Sequence, residues 1–290
     1  MARIERQLPR STSINLERFF GLTEKVAVVT GGSGVLGGAM AKGLAEAGAS
    51  VAVIGRNYPR TARTAYEVMR EGQKTLVVLG DVMEEKSLLK ARERVLGHFG
   101  KIDILVNAAG GNVKEATIPP VGSFFNTSMK AFGEVMDLNL KGTVLASKVF
   151  GEAMLDKPDG EKGGSIINIS SMAADRALTR VMGYGVAKAA VENFTKSLSV
   201  ELATKYGEGF RVNAIAPGFF EGEQNRKLLR NDDSTLTDRG QTIIDHTPVG
   251  RFGDSEDLKS TLIYLCSDGA RFVNGVVVPV DGGFGRYSGV

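Results

Sequence analysis

The stretch Val26-Ala27-Val28-Val29-Thr30-Gly31-Gly32-Ser33-Gly34-Val35-Leu36-Gly37 decides the fold. Its apolar residues predict a buried strand, and its glycines predict a turn that leads into a helix over residues 35–48. Glycines at such a turn let the backbone approach a pyrophosphate, and the following helix offers free N–H groups and the positive end of its dipole. An ordinary strand-to-helix turn is the alternative, but the position after the first strand of a β-α-β unit favours a nucleotide site.

Apolar runs and helical segments alternate along the rest of the chain. Further strands are predicted at residues 51–54, 75–79, 102–106, 165–169, 210–215 and 276–280. Helices are predicted at residues 60–71, 84–99, 129–156, 182–206 and 254–267. Continuous apolar strands that alternate with helices are typical of a parallel sheet covered on both faces. The sequence therefore predicts an α/β protein with a single-domain, doubly wound Rossmann fold of about seven parallel strands.

Two segments fall outside this alternation. Residues 1–24 are predicted to form an N-terminal extension, with residues 25–290 as the single domain. Residues 217–250 mix proline, glycine and charged residues just before the last helix and strand. We expect this segment to form a lid over a bound ligand rather than a separate domain.

Composition excludes several classes of function. The net charge of +3 is spread along the chain without a block of lysine and arginine, so nucleic-acid binding is not indicated. No apolar stretch approaches the roughly 20 residues of a membrane span, and no secretory signal is recognisable, so we expect a cytoplasmic protein. The single cysteine, Cys266, excludes an intrachain disulfide and is expected in the core. With only His98 and His246 available, far apart in sequence, a metal site or a Ser-His-Asp triad is not expected.

Tyr184 and Lys188 stand four residues apart and so lie on the same face of a predicted helix. A nearby ammonium favours the phenolate, so we expect Lys188 to lower the pKa of Tyr184 from about 10 and to make it a proton donor and acceptor near neutral pH. Ser171 precedes Tyr184 by 13 residues, at the end of an apolar run. Asn139 lies among apolar neighbours in a predicted helix, where its amide is expected to have a buried task such as holding a water. With the glycine turn, these residues indicate a nicotinamide-dependent oxidoreductase.

Other predicted strands end in polar or small residues. Gly55-Arg56-Asn57 follows the second strand without a carboxylate for a ribose 2′-hydroxyl, and Arg56 is either a partner for a 2′-phosphate or a solvated surface residue. Asp81, followed by Val82, ends the third strand and either accepts a hydrogen bond from an adenine amino group or caps the next helix. Asn107-Ala108-Ala109-Gly110 ends the fourth strand and either leaves room beside an adenosine or forms a tight turn.

These motifs, in this order, resemble those of the short-chain dehydrogenase/reductase family over about residues 22–285. The resemblance implies that Tyr184 is the general acid/base, that Lys188 holds the nicotinamide ribose and that Ser171 orients the substrate oxygen. It implies that Asn139 holds a water of the proton relay. The cofactor contacts implied or predicted are Gly31, Ser33, Gly34, Val35, Leu36, Gly37, Arg56, Asn57, Asp81, Val82, Asn107, Ala108, Ala109, Gly110, Tyr184, Lys188, Pro217, Gly218 and Phe220.

Two positions depart from the family pattern. Val35 replaces the middle glycine of the usual TGxxxGxG turn, and Gly34 is expected to take over the tight approach. Gly222 stands where the family often has a threonine near the nicotinamide carboxamide.

The cofactor is expected to be NADP or NAD, with NADP favoured through Arg56, and no metal is expected. The resemblance also implies a homotetramer or homodimer.

Segments near the C-terminus, at residues 216–220, 246–253 and 280–290, are similar to a subgroup of D-mannonate oxidoreductases that interconverts D-fructuronate and D-mannonate. Val113 departs from that subgroup, in which we expect a histidine at this position.

The substrate implied by the subgroup is a keto-sugar or sugar acid, with another polyol, a gluconate-type compound or another carbonyl as alternatives. A cofactor-binding regulator without turnover is the alternative of a different class. Predicted substrate contacts are Asn112, Ser171, Tyr184 and Arg226, with Arg176, Arg180 and Asn225 as further candidates.

Overall fold

Seven strands form one parallel sheet in the computed structural model, which describes residues 15–158, 160–222 and 225–289. The strands are β1 (Val26–Thr30), β2 (Ser50–Gly55), β3 (Thr75–Leu79), β4 (Ile104–Asn107), β5 (Gly164–Ile169), β6 (Phe210–Pro217) and β7 (Val277–Val280). Their order across the sheet is β3-β2-β1-β4-β5-β6-β7. The predicted Rossmann fold is confirmed.

Helices connect these strands and cover both faces of the sheet. The α-helices of the described residues are α1 (Leu16–Phe20), α2 (Val35–Glu46), α3 (Tyr58–Met69), α4 (Glu85–Phe99), α5 (Met129–Met136), α6 (Gly142–Glu152), α7 (Met182–Tyr206), α8 (Arg226–Leu229), α9 (Asp238–Asp245) and α10 (Lys259–Cys266). No helix in this part of the chain is both long and apolar enough to cross a bilayer. Residues 1–14 of the predicted extension lie outside the described residues.

Two apolar cores, one on each face of the sheet, hold the layers together. Met40 and Leu44 of α2 pack with Leu262 of α10 on one face. Leu88 of α4 and Phe150 of α6 lie in the core of the other face. Each of these side chains is at most 1% exposed, and burial of such a residue is worth about 1.5–3 kcal/mol.

The reversal of strand order lies between β1 and β4. Along the chain, the sheet grows from β1 outward to β3 and then returns to place β4 on the other side of β1, where Thr30 pairs with Asn107. The loops that follow β1 and β4 therefore leave the sheet toward opposite faces and open a crevice at the carboxyl ends of the strands. This crevice is where the fold places a ligand.

The predicted single helix over residues 129–156 is wrong in one respect. The segment is divided into α5 and α6 by a π-helical turn over Asp137–Lys141, in which the N–H of Gly142 donates to the carbonyl of Asp137. Such turns often mark functional positions, because the wider turn redirects one side chain. The side chain at its centre is Asn139.

Candidate active site

The glycine turn after β1 packs directly on the end of β4. Gly31 has a φ of 64°, and a Cβ at this position would lie 2.7 Å from the backbone nitrogen of Ala109. A Cβ on Gly37 would lie 2.3 Å from the carbonyl oxygen of Gly31. The turn therefore needs glycine at both positions, and it leaves the start of α2 open to the crevice.

Gly34 lies between Gly31 and Gly37 in the turn and is less crowded than either. It is the N-cap of α2, and its N–H donates to the Gly31 carbonyl at 2.9 Å. A Cβ on Gly34 would lie 3.3 Å from that oxygen, so the tightest contacts in the turn belong to Gly31 and Gly37. Val35 begins α2 and is 46% exposed, while Leu36 packs against the core. The approach of Gly34 to a pyrophosphate remains a prediction.

The ends of β2 and β3 bring together the residues predicted to bind an adenosine. The hydroxyl of Ser33 lies above the end of β2, since a Cβ on Gly55 would be 2.9 Å from Ser33 Oγ. Arg56 is largely exposed, and its Nη1 lies 3.9 Å from Asp81 Oδ2. Asn57 is the N-cap of α3, accepting the N–H of Arg60, a task that the sequence analysis missed.

Asp81 does not cap α4 itself. Its Oδ1 accepts the N–H of Met83 at 2.9 Å, whereas the N-cap of α4 is Glu84. Val82 is buried, and a Cβ on Gly142 would lie 2.9 Å from its side chain. The cap alternative for Asp81 is therefore wrong in detail, because its carboxylate closes the turn before the helix.

The end of β4 is built from one buried asparagine and three small residues. The Nδ2 of Asn107 donates to Ser147 Oγ and to Asn168 Oδ1, both at 2.9 Å, so this side chain lies inside the protein. Ala108 and Ala109 contact the glycine turn through their backbone. Of the predicted residues at this strand end, Asn107 thus faces the core, and the following backbone borders the crevice.

Asn139 ties its helix to the loop after β4. Its Oδ1 accepts the N–H of Gly111 at 3.0 Å, and its Nδ2 donates to the carbonyls of Gly111 and Val135 at 2.7 and 2.9 Å. The expected buried task of this amide is therefore to position Gly111. The predicted part in holding a water remains a prediction.

Lys188 and Asn139 converge on Gly110. A Cβ on Gly110 would lie 2.7 Å from Asn139 Oδ1 and 3.3 Å from Lys188 Nζ. Lys188 is 4% exposed, and its Nζ donates to the carbonyl of Ile169 at 2.7 Å, at the end of β5. The side chain of Lys188 is thereby fixed between β5 and the loop after β4.

Ser171 and Tyr184 meet because α7 packs closely on the turn after β5. Ser171 begins a 3₁₀ turn, Met172–Ala174, and its Oγ accepts the N–H of Ala173. A Cβ on Gly185 would lie 2.9 Å from the carbonyl oxygen of Ala173, so glycine lets the helix approach. The side chains of Ser171 and Tyr184 are near enough for Ser171 to lower the pKa of the Tyr184 phenol.

The electrostatics of Tyr184 differ from the expectation. Burial raises the pKa of Tyr184, and the hydrogen bond from Ser171 lowers it by a smaller amount. Burial also lowers the pKa of Lys188 to about 8. Lys188 Nζ lies 5.6 Å from the centre of the Tyr184 ring and donates to Ile169. The prediction of a Tyr184 pKa below its usual value of about 10 is therefore wrong for this structure, because burial of the phenol outweighs the effects that lower its pKa.

The last predicted cofactor residues lie at the end of β6. Pro217 ends that strand, and the N–H of Gly218 donates to the carbonyl of Val280. A Cβ on Gly218 would lie 2.7 Å from the Cα of Asp281, so the chain passes close to the C-terminal tail. Phe220 is buried and pairs with Gly253 through an isolated bridge.

The other predicted substrate residues, apart from Ser171 and Tyr184, are exposed or bonded to nearby residues of their own loops. Asn112 is exposed, and its Nδ2 donates to Thr117 Oγ1 at 2.6 Å. Arg226 is exposed at the start of α8. The side chain of Asn225 bridges the carbonyl of Phe220 and the N–H of Gly222.

The arrangement fits a dinucleotide on three counts. The cradle formed at Gly31, Gly37 and Gly110 has no space for side chains. The start of α2 supplies unpaired N–H groups for a pyrophosphate. The buried Lys188 lies next to Gly110 and 5.6 Å from the centre of the Tyr184 ring. Within the described residues, no group of three or more His, Cys, Asp or Glu side chains is suited to hold a metal ion.

A comparison with known families defines the class of this protein. A family model described as enoyl-(acyl carrier protein) reductase matches residues 33–285. The chain belongs to the short-chain dehydrogenase/reductase family, and it is an oxidoreductase that uses a nicotinamide cofactor and acts on CH–OH groups.

Three relatives show which members of the family this chain is similar to. An uncharacterised oxidoreductase named UxuB from Bacillus subtilis (strain 168) is 45% identical, over 93% of this chain and 98% of the relative. A crystal structure from Haemophilus influenza, provisionally described as a D-mannonate oxidoreductase and holding NAD, is 39% identical with a TM-score of 0.86, covering 95% of this chain and 100% of that one. A gluconate 5-dehydrogenase from Burkholderia cenocepacia J2315, in complex with NADP and tartrate, is 30% identical with a TM-score of 0.80, covering 93% and 98%.

Proposed function

We propose that this protein interconverts a keto-sugar acid and the corresponding secondary alcohol, with D-fructuronate and D-mannonate as the pair that fits best. The observation that carries the proposal is the convergence of Asn139 and Lys188 on Gly110, in the loop after β4, with Lys188 Nζ 5.6 Å from the centre of the Tyr184 ring. The similarity to proteins described as acting on D-mannonate and gluconate supports a sugar acid as the substrate.

The proposed mechanism assigns one task to each of these residues. When bound, the nicotinamide supplies the hydride chemistry. Tyr184 Oη gives a proton to the carbonyl oxygen in reduction and accepts the hydroxyl proton in oxidation. Ser171 Oγ holds the same oxygen and stabilises the charge that develops on it. Lys188 carries a positive charge at neutral pH, below its pKa of about 8, and this charge favours the phenolate whenever Tyr184 has lost its proton.

Cofactor preference follows from the end of β2. We assign a preference for NADP to Arg56, whose exposed side chain is free to move onto a 2′-phosphate. Its contact with Asp81, at 3.9 Å, is a weak surface pair and costs little to break. Arg56→Ala is then expected to raise the KM for NADPH about tenfold or more and to leave the KM for NADH nearly unchanged.

Initial rates at 340 nm with D-fructuronate, and with NADH or NADPH in parallel, test the proposal. Turnover of D-fructuronate that is lost in Tyr184→Phe, with cofactor binding retained, is the expected result. A Tyr184→Phe protein that keeps most of its activity would show that the assignment of the acid/base is wrong. Turnover of D-gluconate-type substrates or uncharged keto-sugars, but not of D-fructuronate, would keep the mechanism and contradict the substrate.

We also propose a cytoplasmic homotetramer or homodimer. Phe272, five residues before the edge strand β7, is 99% exposed, and Val276, which directly precedes that strand, is 37% exposed. An apolar side chain as exposed as that of Phe272, near the edge of a sheet, favours contact with a second protomer. Light scattering coupled to size-exclusion chromatography measures the assembly directly, and a monomeric mass would contradict it.

A further inference from the structure

The chain that follows β7 forms a closed loop over residues 281–287, called here the C-terminal loop. The carboxylate of Asp281 accepts the N–H groups of Gly283 and Gly285, at 2.9 and 2.8 Å. The N–H of Tyr287 donates to the carbonyl of Gly283 at 3.1 Å. These bonds give the loop a fixed shape of its own, with Gly285 buried.

The C-terminal loop packs on the turn that carries Ser171. A Cβ on Gly285 would overlap with Met172 Cε, so the loop backbone rests directly on the residue after Ser171. Arg176 donates to the carbonyl of Gly285 from both Nε, at 2.7 Å, and Nη2. The N–H of Arg176 also donates to the carbonyl of Met172 at 2.9 Å. Arg176 is therefore bonded to the Ser171 turn through its backbone and to the C-terminal loop through its guanidinium.

The same loop packs against both ends of the proposed lid. At the start of the lid, the ring of Phe219 lies 5.1 Å from that of Phe284 in an edge-on arrangement. At the end of the lid, the N–H of Val249 donates to the carbonyl of Gly282 at 3.2 Å. The C-terminal loop thus contacts the lid on one side and the Ser171 turn on the other.

The hydrogen bonds inside the Ser171 turn fix its shape more than its position. The N–H of Ala173 donates to Ser171 Oγ at 3.2 Å, and the N–H of Ala174 donates to the Ser171 carbonyl at 3.0 Å. Position depends on what packs around the turn. On one side is α7, where a Cβ on Gly185 would lie 2.9 Å from the carbonyl oxygen of Ala173. On the other side, Arg176 connects the turn to the C-terminal loop.

We propose that Arg176 is a positioning residue, which holds the Ser171 turn against the C-terminal loop and so aligns Ser171 with Tyr184. Arginine suits this task because its planar guanidinium presents Nε and Nη2 to one oxygen in a fixed geometry. The inference rests on the roles proposed above for Ser171 and Tyr184. It gives Arg176 no direct part in binding the substrate, since its guanidinium is engaged by Gly285.

A double-mutant cycle between Arg176→Met and Ser171→Ala tests this inference. Methionine keeps an apolar stem and removes both hydrogen bonds to the loop. Arg176→Met is expected to lower kcat for D-fructuronate by about 10- to 100-fold, the range for a misplaced catalytic group, and to leave the Kd of NADH unchanged. In Ser171→Ala, which has no hydroxyl to align, the same replacement is expected to lower kcat by less than about twofold. Losses that multiply in the double variant would overturn the inference.

Two further variants separate alignment from general stability. Arg286→Met removes an exposed charge from the C-terminal loop and is the matched control, with an expected change in kcat below about twofold. Arg176→Lys, which can still donate one hydrogen bond to the carbonyl of Gly285, is expected to recover part of the lost kcat. No recovery in Arg176→Lys, together with a lowered urea midpoint in Arg176→Met, would show a merely structural role.

A measurement without substrate separates the inference from the proposed function. In protein labelled with ¹³C at tyrosine Cζ, the chemical shift of Tyr184 reports on the surroundings of its hydroxyl, and Tyr184→Phe identifies the signal. Arg176→Met is expected to move this signal in the same direction as Ser171→Ala, and Arg286→Met to leave it in place. A signal that stays in place in Arg176→Met or in Ser171→Ala would overturn the inference, whatever the turnover of D-fructuronate. A moved signal without turnover of D-fructuronate would sustain the inference and contradict the proposed substrate.

Discussion

Replacing Lys188 by methionine is expected to abolish turnover and, at pH 7, to stabilise the protein. Lys188 is 4% exposed, and none of the ion pairs in the described residues involves its ammonium. Burial lowers its pKa from the ordinary 10.5 to about 8. The charged form of Lys188 therefore destabilises the folded protein at neutral pH. Such a cost is typical of a residue that is retained for function rather than for stability.

The magnitude follows from that difference in pKa. At about 1.4 kcal/mol for each pKa unit, the charged lysine costs about 3 kcal/mol at pH 7. Methionine removes this cost but also removes the hydrogen bond to the carbonyl of Ile169, which is worth about 1–2 kcal/mol. The net gain at pH 7 is thus about 1–2 kcal/mol in the free energy of unfolding.

The sign of the effect changes with pH. Between about pH 8 and 10.5 the unfolded chain binds the proton that folded Lys188 has lost, so the stability of the wild type rises with pH. The methionine variant lacks this rise. Above about pH 10.5 it is expected to be the less stable protein, by the value of the lost hydrogen bond.

Urea unfolding of both proteins at pH 7 and at intervals up to pH 10.5 measures the difference. Lys259→Met is the matched control. Burial alone lowers the pKa of Lys259, but hydrogen bonds to Glu256 and Glu46 outweigh burial and raise it. Loss of that lysine is therefore expected to destabilise the protein at pH 7, by about 1–3 kcal/mol. A difference between wild type and Lys188→Met that stays constant from pH 7 to 10 would refute the reasoning.

Three further expectations concern separate parts of the molecule. Gly37→Ala, which places a Cβ 2.3 Å from the carbonyl oxygen of Gly31, should weaken NADH binding about tenfold or more in a fluorescence titration. Burial raises the pKa of Cys266 to about 12, so this thiol should not react with a disulfide reagent at pH 8 until the protein is unfolded. Asp103→Asn breaks a buried ion pair with Lys157, 3.0 Å long, and should cost about 3–5 kcal/mol of stability, read from the urea midpoint, with kcat unchanged.

Local patterns were sufficient to predict the sheet. Each buried strand, such as Val26–Thr30, is a short apolar run between turn residues, and its position depends mainly on nearby sequence. The division of residues 129–156 depends on a distant contact. Asn139 must reach the backbone of Gly111, 28 residues away, and no periodicity in the helix shows that requirement.

The site was predicted in its residue types more completely than in its electrostatics. The spacing of Tyr184 and Lys188 placed both on one helix face, but how deeply each is buried depends on the segments packed around them. Asn107 was expected to border the cofactor, and its side chain faces the core because Asn168 pairs with it across the strands.

Val35 and Gly222, the two residues that depart from the family pattern, are neighbours in space. A Cβ on Gly222 would lie 3.5 Å from Val35 Cγ2, so the larger residue in the turn faces the smaller one at the start of the lid. A side chain placed at position 222 would contact Val35, so a mutation at one position changes the space available at the other. In relatives of this protein, we therefore expect the residue at position 35 to covary with the residue at position 222.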